Sequence, residues 1–326
     1  MKDVGLVGVP YSGKSTLFTA LTRTGAAGGR SNQAVVEVPD PRVETLGELE
    51  GSRKLVHAQV RFVDVPGGTT GQSLATLRET DALCVVLRAF GPDTDPAREL
   101  EDVTTELILA DLAVAESALE GARKRTKGGR SGVPELDALE RAHAALSGET
   151  PLARAGLSDE ERAHLRAIAP LTLKPWILVA NLEEGAQLPP GLPSDAVGVY
   201  AEIEAEVADM PQDEARTLLA EFGDPEPGLP RVISASYGAL DLITFLTANE
   251  NEAHAWHVRR GATAPEAAGV IHADMQRGFI RAEVVPFDEI VAAGGWHGLH
   301  ARGRMRIEGK EYVVQEGDVL HIRFSV

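Results

Sequence analysis

Cysteine is nearly absent. Cys84 is the single thiol in 326 residues, which excludes an internal disulfide and suits a cytoplasmic protein. Set within Ala82-Leu83-Cys84-Val85-Val86-Leu87, it reads as a small core side chain rather than a reactive one. Long apolar runs are missing too. Nothing approaches the roughly 18 residues a membrane-spanning helix needs, so no membrane partner is expected. The opening MKDVGLVGVP enters an apolar strand pattern directly and lacks a signal peptide's cleavage region. Positive charge is scarce: 32 Lys and Arg face 49 Asp and Glu, for a net charge of −17. That balance argues against nonspecific nucleic-acid binding driven by bulk charge, and no DNA partner is expected.

The chain is long enough for two domains, each with its own core. Residues 1–238 hold 37 acidic and 23 basic side chains, whereas 239–326 hold 12 and 9, with six of the nine histidines. A domain boundary near 238 follows. Strand and helix patterns alternate at the start: Val4–Val7, Thr16–Leu21, Ala34–Val38, Val43–Leu49, Val60–Val63 and Ala82–Val86. This predicts an α/β unit with a mostly parallel sheet. Asp40 as N-cap and Pro41 at the first helical position open the second helix. Ile108, Leu112, Ala115, Leu119 and Ala122 recur at the spacing of a helix seam, and Leu136, Leu139, His143 and Leu146 form a second stripe. Ser158-x-x-Glu161 is a capping box. Residues 102–168 therefore read as a helical arm inserted between 1–101 and 169–238, and His143 as a seam filler. Strands resume at Trp176–Ala180 and Ala196–Tyr200. Residues 239–326 read as a small, mainly β unit. Its expected hairpin has Arg304–Ile307 and Tyr312–Val314 flanking Glu308-Gly309-Lys310.

The chemistry concentrates near the amino terminus. Gly8-Val9-Pro10-Tyr11-Ser12-Gly13-Lys14-Ser15-Thr16 fits the phosphate-binding loop, with a strand before it and a helix after it. Glycines let successive N–H groups curl toward phosphates, and the helix N-terminus adds its dipole. Lys14 supplies a point charge at the β/γ-phosphates and is the catalytic candidate. Ser15 offers a hydroxyl to Mg²⁺. Asp64-Val65-Pro66-Gly67 places a carboxylate at a strand end for Mg²⁺, and a glycine N–H for the γ-phosphate. A turn explains Asp-x-x-Gly equally well in isolation. Asn181-Leu182-Glu183-Glu184 ends another apolar strand, where α/β sheets bind ligands. Guanine-specific switches carry Asn-Lys-x-Asp there. Leu182 and Glu184 replace the lysine and aspartate, which weakens a guanine preference. An N-cap at Asn181 is the plainer alternative. His272 and Asp274 share one side of an expected extended stretch, without an evident third metal ligand. Arg277, Arg281, Arg302, Arg304 and Arg306 form either a solvated face or a basic face toward ribosomal RNA.

These stretches resemble the Obg-like ATPases of the YchF type almost end to end. The resemblance rests on VVEVPDPR, RETDALCVVLRAF, TTELILADLAVAESALE and LTLKPWILVANLEE, and most on GATAPEAAGVIHADMQRGFIRAEVV and RIEGKEYVVQEGDVLHIRFSV. It implies a P-loop domain, a coiled helical arm and a carboxy-terminal TGS domain of β-grasp type. It also implies a switch that prefers ATP over GTP, uses Mg²⁺, associates with ribosomes or ribosomal RNA, and serves translation or stress control. Asn181, Leu182 and Glu184 would contact adenine, and Ala201 carries over from the family's Ser-Ala-Lys-Leu-Glu. Several positions depart from the family. Tyr11 stands where it has an asparagine that helps hold a monovalent cation. The threonine of its first switch falls on Gly28, and both switch loops are shorter here. The expectation is an ATP-binding protein with weak ATPase activity. The alternative is a nucleotide-binding regulator or ribosome-interaction module without significant hydrolysis.

Overall fold

The side chains of β1 (Lys2–Val7) are buried from Val4 onward on both faces of the strand, as in a parallel sheet covered by helices. The computed structural model describes residues 1–23, 32–65, 70–127, 133–208, 210–222, 228–302 and 305–325. After β1 come α1 (Lys14–Arg23), β2 (Gln33–Glu37), α2 (Pro41–Glu50), β3 (Lys54–Val56), β4 (Gln59–Asp64), α3 (Gly71–Glu79) and β5 (Ala82–Ala89). A long α4 (Pro96–Lys127), α5 (Val133–Ser147) and α6 (Asp159–Leu165) follow. Then come β6 (Trp176–Leu182), β7 (Val197–Val199), α7 (Ala201–Val207), α8 (Gln212–Glu221) and α9 (Gly228–Ala239). The remainder comprises β8 (Leu242–Ala248), β9 (Glu252–Arg259), α10 (Ala264–Ile271), α11 (Ala273–Arg277), β10 (Phe279–Pro286), α12 (Phe287–Ala293), α13 (Gly295–Arg302), β11 (Arg306–Glu308) and β12 (Asp318–Phe324).

The chain divides into two compact units, Met1–Val36 with Val60–Ala239, and Glu37–Gln59 with Leu240–Val326. In the first, the sheet order is β2-β4-β1-β5-β6-β7, and β4, β1, β5, β6 and β7 run parallel. Cys84 lies at its centre, fully buried, and burial pushes its thiol up to about 12. The arm closes over its own seam, where Ile108, Ala115, Leu119, Leu139 and Leu146 are buried together. His143 stands half-buried beside that seam, 3.6 Å from the Glu116 carboxylate. α4 begins at Pro96, ahead of the expected arm boundary at 102. Ser158 and Glu161 form the capping box of α6. Glu204 is buried and accepts from the N–H groups of Gly228 (2.9 Å) and Leu229 (2.7 Å), capping α9. Burial nonetheless raises its carboxyl to about 7.

The second unit holds the order β11-β10-β12-β8-β9-β3. Its core gathers Phe245, Ala264, Ala267, Ala268, Phe279, Val284 and Leu320. Three expectations need correction here. Residues 37–59, read as part of the first domain, belong to this unit. β3 extends the second sheet by pairing parallel with β9, and Arg42 bridges to Glu316 at 2.7 Å. The hairpin does not form either. β11 pairs with β10, and a turn through Gly309 sends Val314 N–H to the Ala262 carbonyl at 2.9 Å, with Val313 bridged to Thr263. Nor is the unit mainly β. Thr263-x-x-Glu266 opens α10, with Glu266 accepting from Thr263 N–H at 2.7 Å. Val270 and Ile271 are therefore helical, and His272 is the N-cap of α11, its Nδ1 accepting from Asp274 N–H at 3.1 Å. Among the described residues no group of three or more His, Cys, Asp or Glu could hold a metal, and no helix is long and apolar enough to cross a membrane.

Candidate functional site

β1 lies between β4 and β5, and all three are parallel to β6. Their carboxyl ends therefore share one edge of the sheet, at the point where chain order reverses and α/β sheets bind ligands. Gly8 follows β1, Asp64 ends β4 and Asn181 lies near the end of β6. Gly8 is required by space alone: a Cβ there would stand 2.3 Å from the Val86 carbonyl oxygen. The loop turns with Ser12 N–H on the Val9 carbonyl (3.3 Å), and α1 begins with Leu17 N–H on that of Gly13 (2.9 Å). Gly13 and Tyr11 both have left-handed backbone, with φ of 89° and 66°. Glycine accepts that conformation freely, whereas tyrosine is strained there. The Tyr11 ring is 88% exposed, and Pro10 is exposed beside it.

The Lys14 ammonium donates to the carbonyls of Gly8 (2.6 Å) and Val9 (2.8 Å), inside the loop's curl. Burial lowers its pKa, against the pull of Asp64 and Glu99. The Ser15 hydroxyl lies 3.5 Å from Asp64 Oδ2, and Asp64 Oδ1 is buried with no hydrogen-bond partner. Burial raises the Asp64 carboxyl, outweighing Lys14, Ser15 and the Val65 N–H. A buried carboxylate oxygen without a donor, beside a hydroxyl and near an ammonium, fits a hard cation with oxygen ligands. The Ser12 hydroxyl is also buried and unpartnered. Thr16 is half-buried in the first turn of α1.

Asn181 is buried and holds two segments together. Its amide donates to the Ser12 carbonyl (3.4 Å), and its oxygen accepts from Ala201 N–H (3.3 Å). Ala201, the first residue of α7, is thus fixed to the phosphate loop through one side chain. A Cβ on Gly13 would meet the Asn181 amide nitrogen at 2.0 Å. Gly13→Ala is accordingly expected to displace Asn181 and strain the backbone, costing about 2 kcal/mol or more in urea unfolding. An unchanged midpoint would mean that the loop relaxes freely.

Leu182, expected at a base, is 9% exposed and lies in the buried cluster of Ile203, Val207 and Leu219. Glu184 is exposed in a turn with Gly185, whose φ is 72°. Gly67 and Gly28 lie outside the described residues, as does Arg304. Arg277 pairs with Asp274, and the Arg306 guanidinium stands 5.8 Å from the Tyr312 ring centre. Two residues near the loop carry no local motif. Glu99 accepts from Arg88 N–H at 2.8 Å and acts on Lys14 electrostatically. Glu183 accepts from Gly91 N–H at 3.3 Å. Only an acid in the first turn of α4 hints at Glu99 in the sequence.

Known proteins match this chain over nearly its whole length. A family described as 50S ribosome-binding GTPase matches residues 3–115. The family of YchF GTPase carboxy-terminal regions, described as a protein of unknown function, matches residues 242–325. The ribosome-binding ATPase YchF of Bacillus subtilis is 37% identical over 361 aligned positions, covering 99% of each chain. That of Haemophilus influenzae is 38% identical over 358, again at 99% of each. Alignments longer than the 326 residues here mean that both relatives carry segments this chain lacks. The structure of the Schizosaccharomyces pombe YchF GTPase superimposes with a TM-score of 0.89 at 28% identity, over 99% of this chain and 97% of that one. With identity well above 30% along nearly its full length, and a P-loop fold to match, the chain belongs to the YchF family.

Proposed function

We propose that this protein binds ATP with Mg²⁺ at the Gly8–Thr16 loop, hydrolyses it slowly, and acts on the ribosome. The single observation that carries the binding reading is the buried, donor-free Asp64 oxygen beside Ser15 and within electrostatic reach of Lys14. Ser15 and Asp64 would hold the metal, which when bound would neutralise charge between the phosphates. Lys14 would exchange the Gly8 and Val9 carbonyls for phosphate oxygens, and Gly67 would meet the γ-phosphate. Loop N–H groups from Gly8, Ser12, Gly13 and Thr16 complete the cradle. Asn181 holds the loop against Ala201, beside the place where a base would lie, with the Leu182 backbone and Glu184 adjoining. ATP over GTP is supported by the replaced Lys and Asp of the guanine motif. The ribosome enters through the relatives' names. Residues 239–326 are read as a TGS-type β-grasp domain, 102–168 as the inserted arm, and the cytoplasm as the compartment.

Slow turnover is supported by Tyr11. It offers no side-chain carbonyl where the family's asparagine helps hold a monovalent cation, and its ring points to solvent. The test is equilibrium binding of ATP and GTP beside single-turnover cleavage in Mg²⁺ and K⁺. Tight ATP binding with slow cleavage is the expected result. Binding without cleavage would favour the regulator reading, and absence of binding would overturn the site. Tyr11→Asn is expected to raise the K⁺-dependent cleavage rate by about tenfold or more, and to relieve left-handed strain of about 1 kcal/mol. An unchanged rate would clear Tyr11 as the cause of slow turnover.

A further inference from the structure

A cavity of about 780 Å³ opens at the root of the helical arm, between α4, the end of α5 and the strand β6. Its size lies within the range of ligand sites. Its apolar wall comprises Ile108, Leu109, Leu112, Leu146, Trp176 and Leu178. Ile108 beside it is buried, yet Leu109 is 59% exposed. Its place in the wall gives this apolar surface a use that the arm's own packing does not.

The rim has a definite sign. Glu101, Glu149 and Asp195 are exposed on it, against one exposed guanidinium, Arg154. The other cation, Lys174, turns its ammonium inward to the carbonyls of Arg78 (3.0 Å) and Thr80. An RNA backbone would meet three carboxylates there, on a protein of net charge −17. A polypeptide with apolar anchors and flanking lysine or arginine meets both the wall and the rim favourably.

We infer that this groove is a docking site for an apolar polypeptide segment bearing basic side chains. That such a segment comes from a ribosomal protein rests on the function proposed above. The groove also adjoins a lock on the helix after Asp64. Thr172 and Lys174 line it, and both belong to the network that grips the end of α3 through Arg78 and Asp111. An occupant therefore sits against the residues that anchor α3.

The first probe is a short amphipathic peptide of leucine and lysine, with a leucine and glutamate counterpart as control. Trp176 fluorescence reports binding in a Trp256→Phe, Trp296→Phe background. The lysine peptide is expected to bind at least about tenfold tighter than the glutamate one. Leu109→Gln, which removes apolar surface without adding charge, should abolish that binding, as should joint Glu101→Lys, Glu149→Lys and Asp195→Lys, with ATP affinity unchanged in both variants. Equal binding of the two peptides, or no effect of either variant, overturns the inference. A second arm sediments the full-length protein with ribosomes and with protein-free ribosomal RNA. Loss of ribosome binding in both groove variants supports a ribosomal protein as the source. Binding to bare RNA by wild type and variants alike would overturn that source. Failure of the wild type to bind ribosomes while the peptide still binds would sink the ribosome reading and leave the groove standing.

Discussion

Lys14→Ala is expected to weaken ATP binding by about tenfold to a hundredfold. A charge-assisted hydrogen bond contributes about 1.5–3 kcal/mol, and each 1.4 kcal/mol is about tenfold in affinity. Lys14 is half-buried within the loop's curl, where its charge is screened less than at the surface. The same ammonium also ties down the Gly8 and Val9 carbonyls. Its removal therefore costs some loop order, about 1 kcal/mol by the ordinary worth of such bonds. The two effects separate by measurement: calorimetry with ATP reads the first, and urea unfolding without nucleotide reads the second. Unchanged ATP affinity would remove the loop from the binding site. A loss of affinity matched by a large loss of stability would make Lys14 a structural residue.

The phosphate loop was legible because its determinants are contiguous. Nine residues contain the glycines, the lysine and the helix start, and the strand before them is apolar without a break. The α2 cap was legible for the same reason: Asp40 accepts from Arg42 N–H at 3.1 Å, with Pro41 next to it. What the sequence hid is non-local. β3 shows only Lys54, Leu55 and Val56, and nothing in that tripeptide announces β9, about two hundred positions on. The sequence suggests a base contact at Asn181 but not its two bonds to Ser12 and Ala201, which lie at distances along the chain that no periodicity records. Thr263-x-x-Glu266 carried a capping signal as plain as that of Ser158-x-x-Glu161. The expectation of a mainly β unit runs against that signal, and with it the expectation of an extended stretch at 270–274.

Asp111 shows how much a residue without a motif can hold. It is 1% exposed, and its carboxylate takes Arg78 Nη1 (2.7 Å), the N–H groups of Leu171 (2.9 Å) and Thr172 (2.7 Å), and the Thr172 hydroxyl (2.8 Å). Arg78 is shared with the carbonyls of Ala169 and Ala110. Asp111→Ala would leave a guanidinium short of its counter-charge and three donors without an acceptor. Breaking a buried pair by removing one partner costs about 3–5 kcal/mol, far above the worth of a surface ion pair. The expected result is a lowered urea midpoint with an unchanged slope. Asp111→Asn should fall between, since the amide keeps one acceptor but turns a second donor toward groups that already donate. Arg78 is the penultimate residue of α3, and α3 follows the Asp64 segment by a few residues. Loss of Asp111 should therefore speed amide exchange in α3 and the 169–172 segment more than in β1 or β5. Uniform acceleration would mean that the network stabilises the whole first unit, and an unchanged midpoint would mean that Arg78 finds another partner.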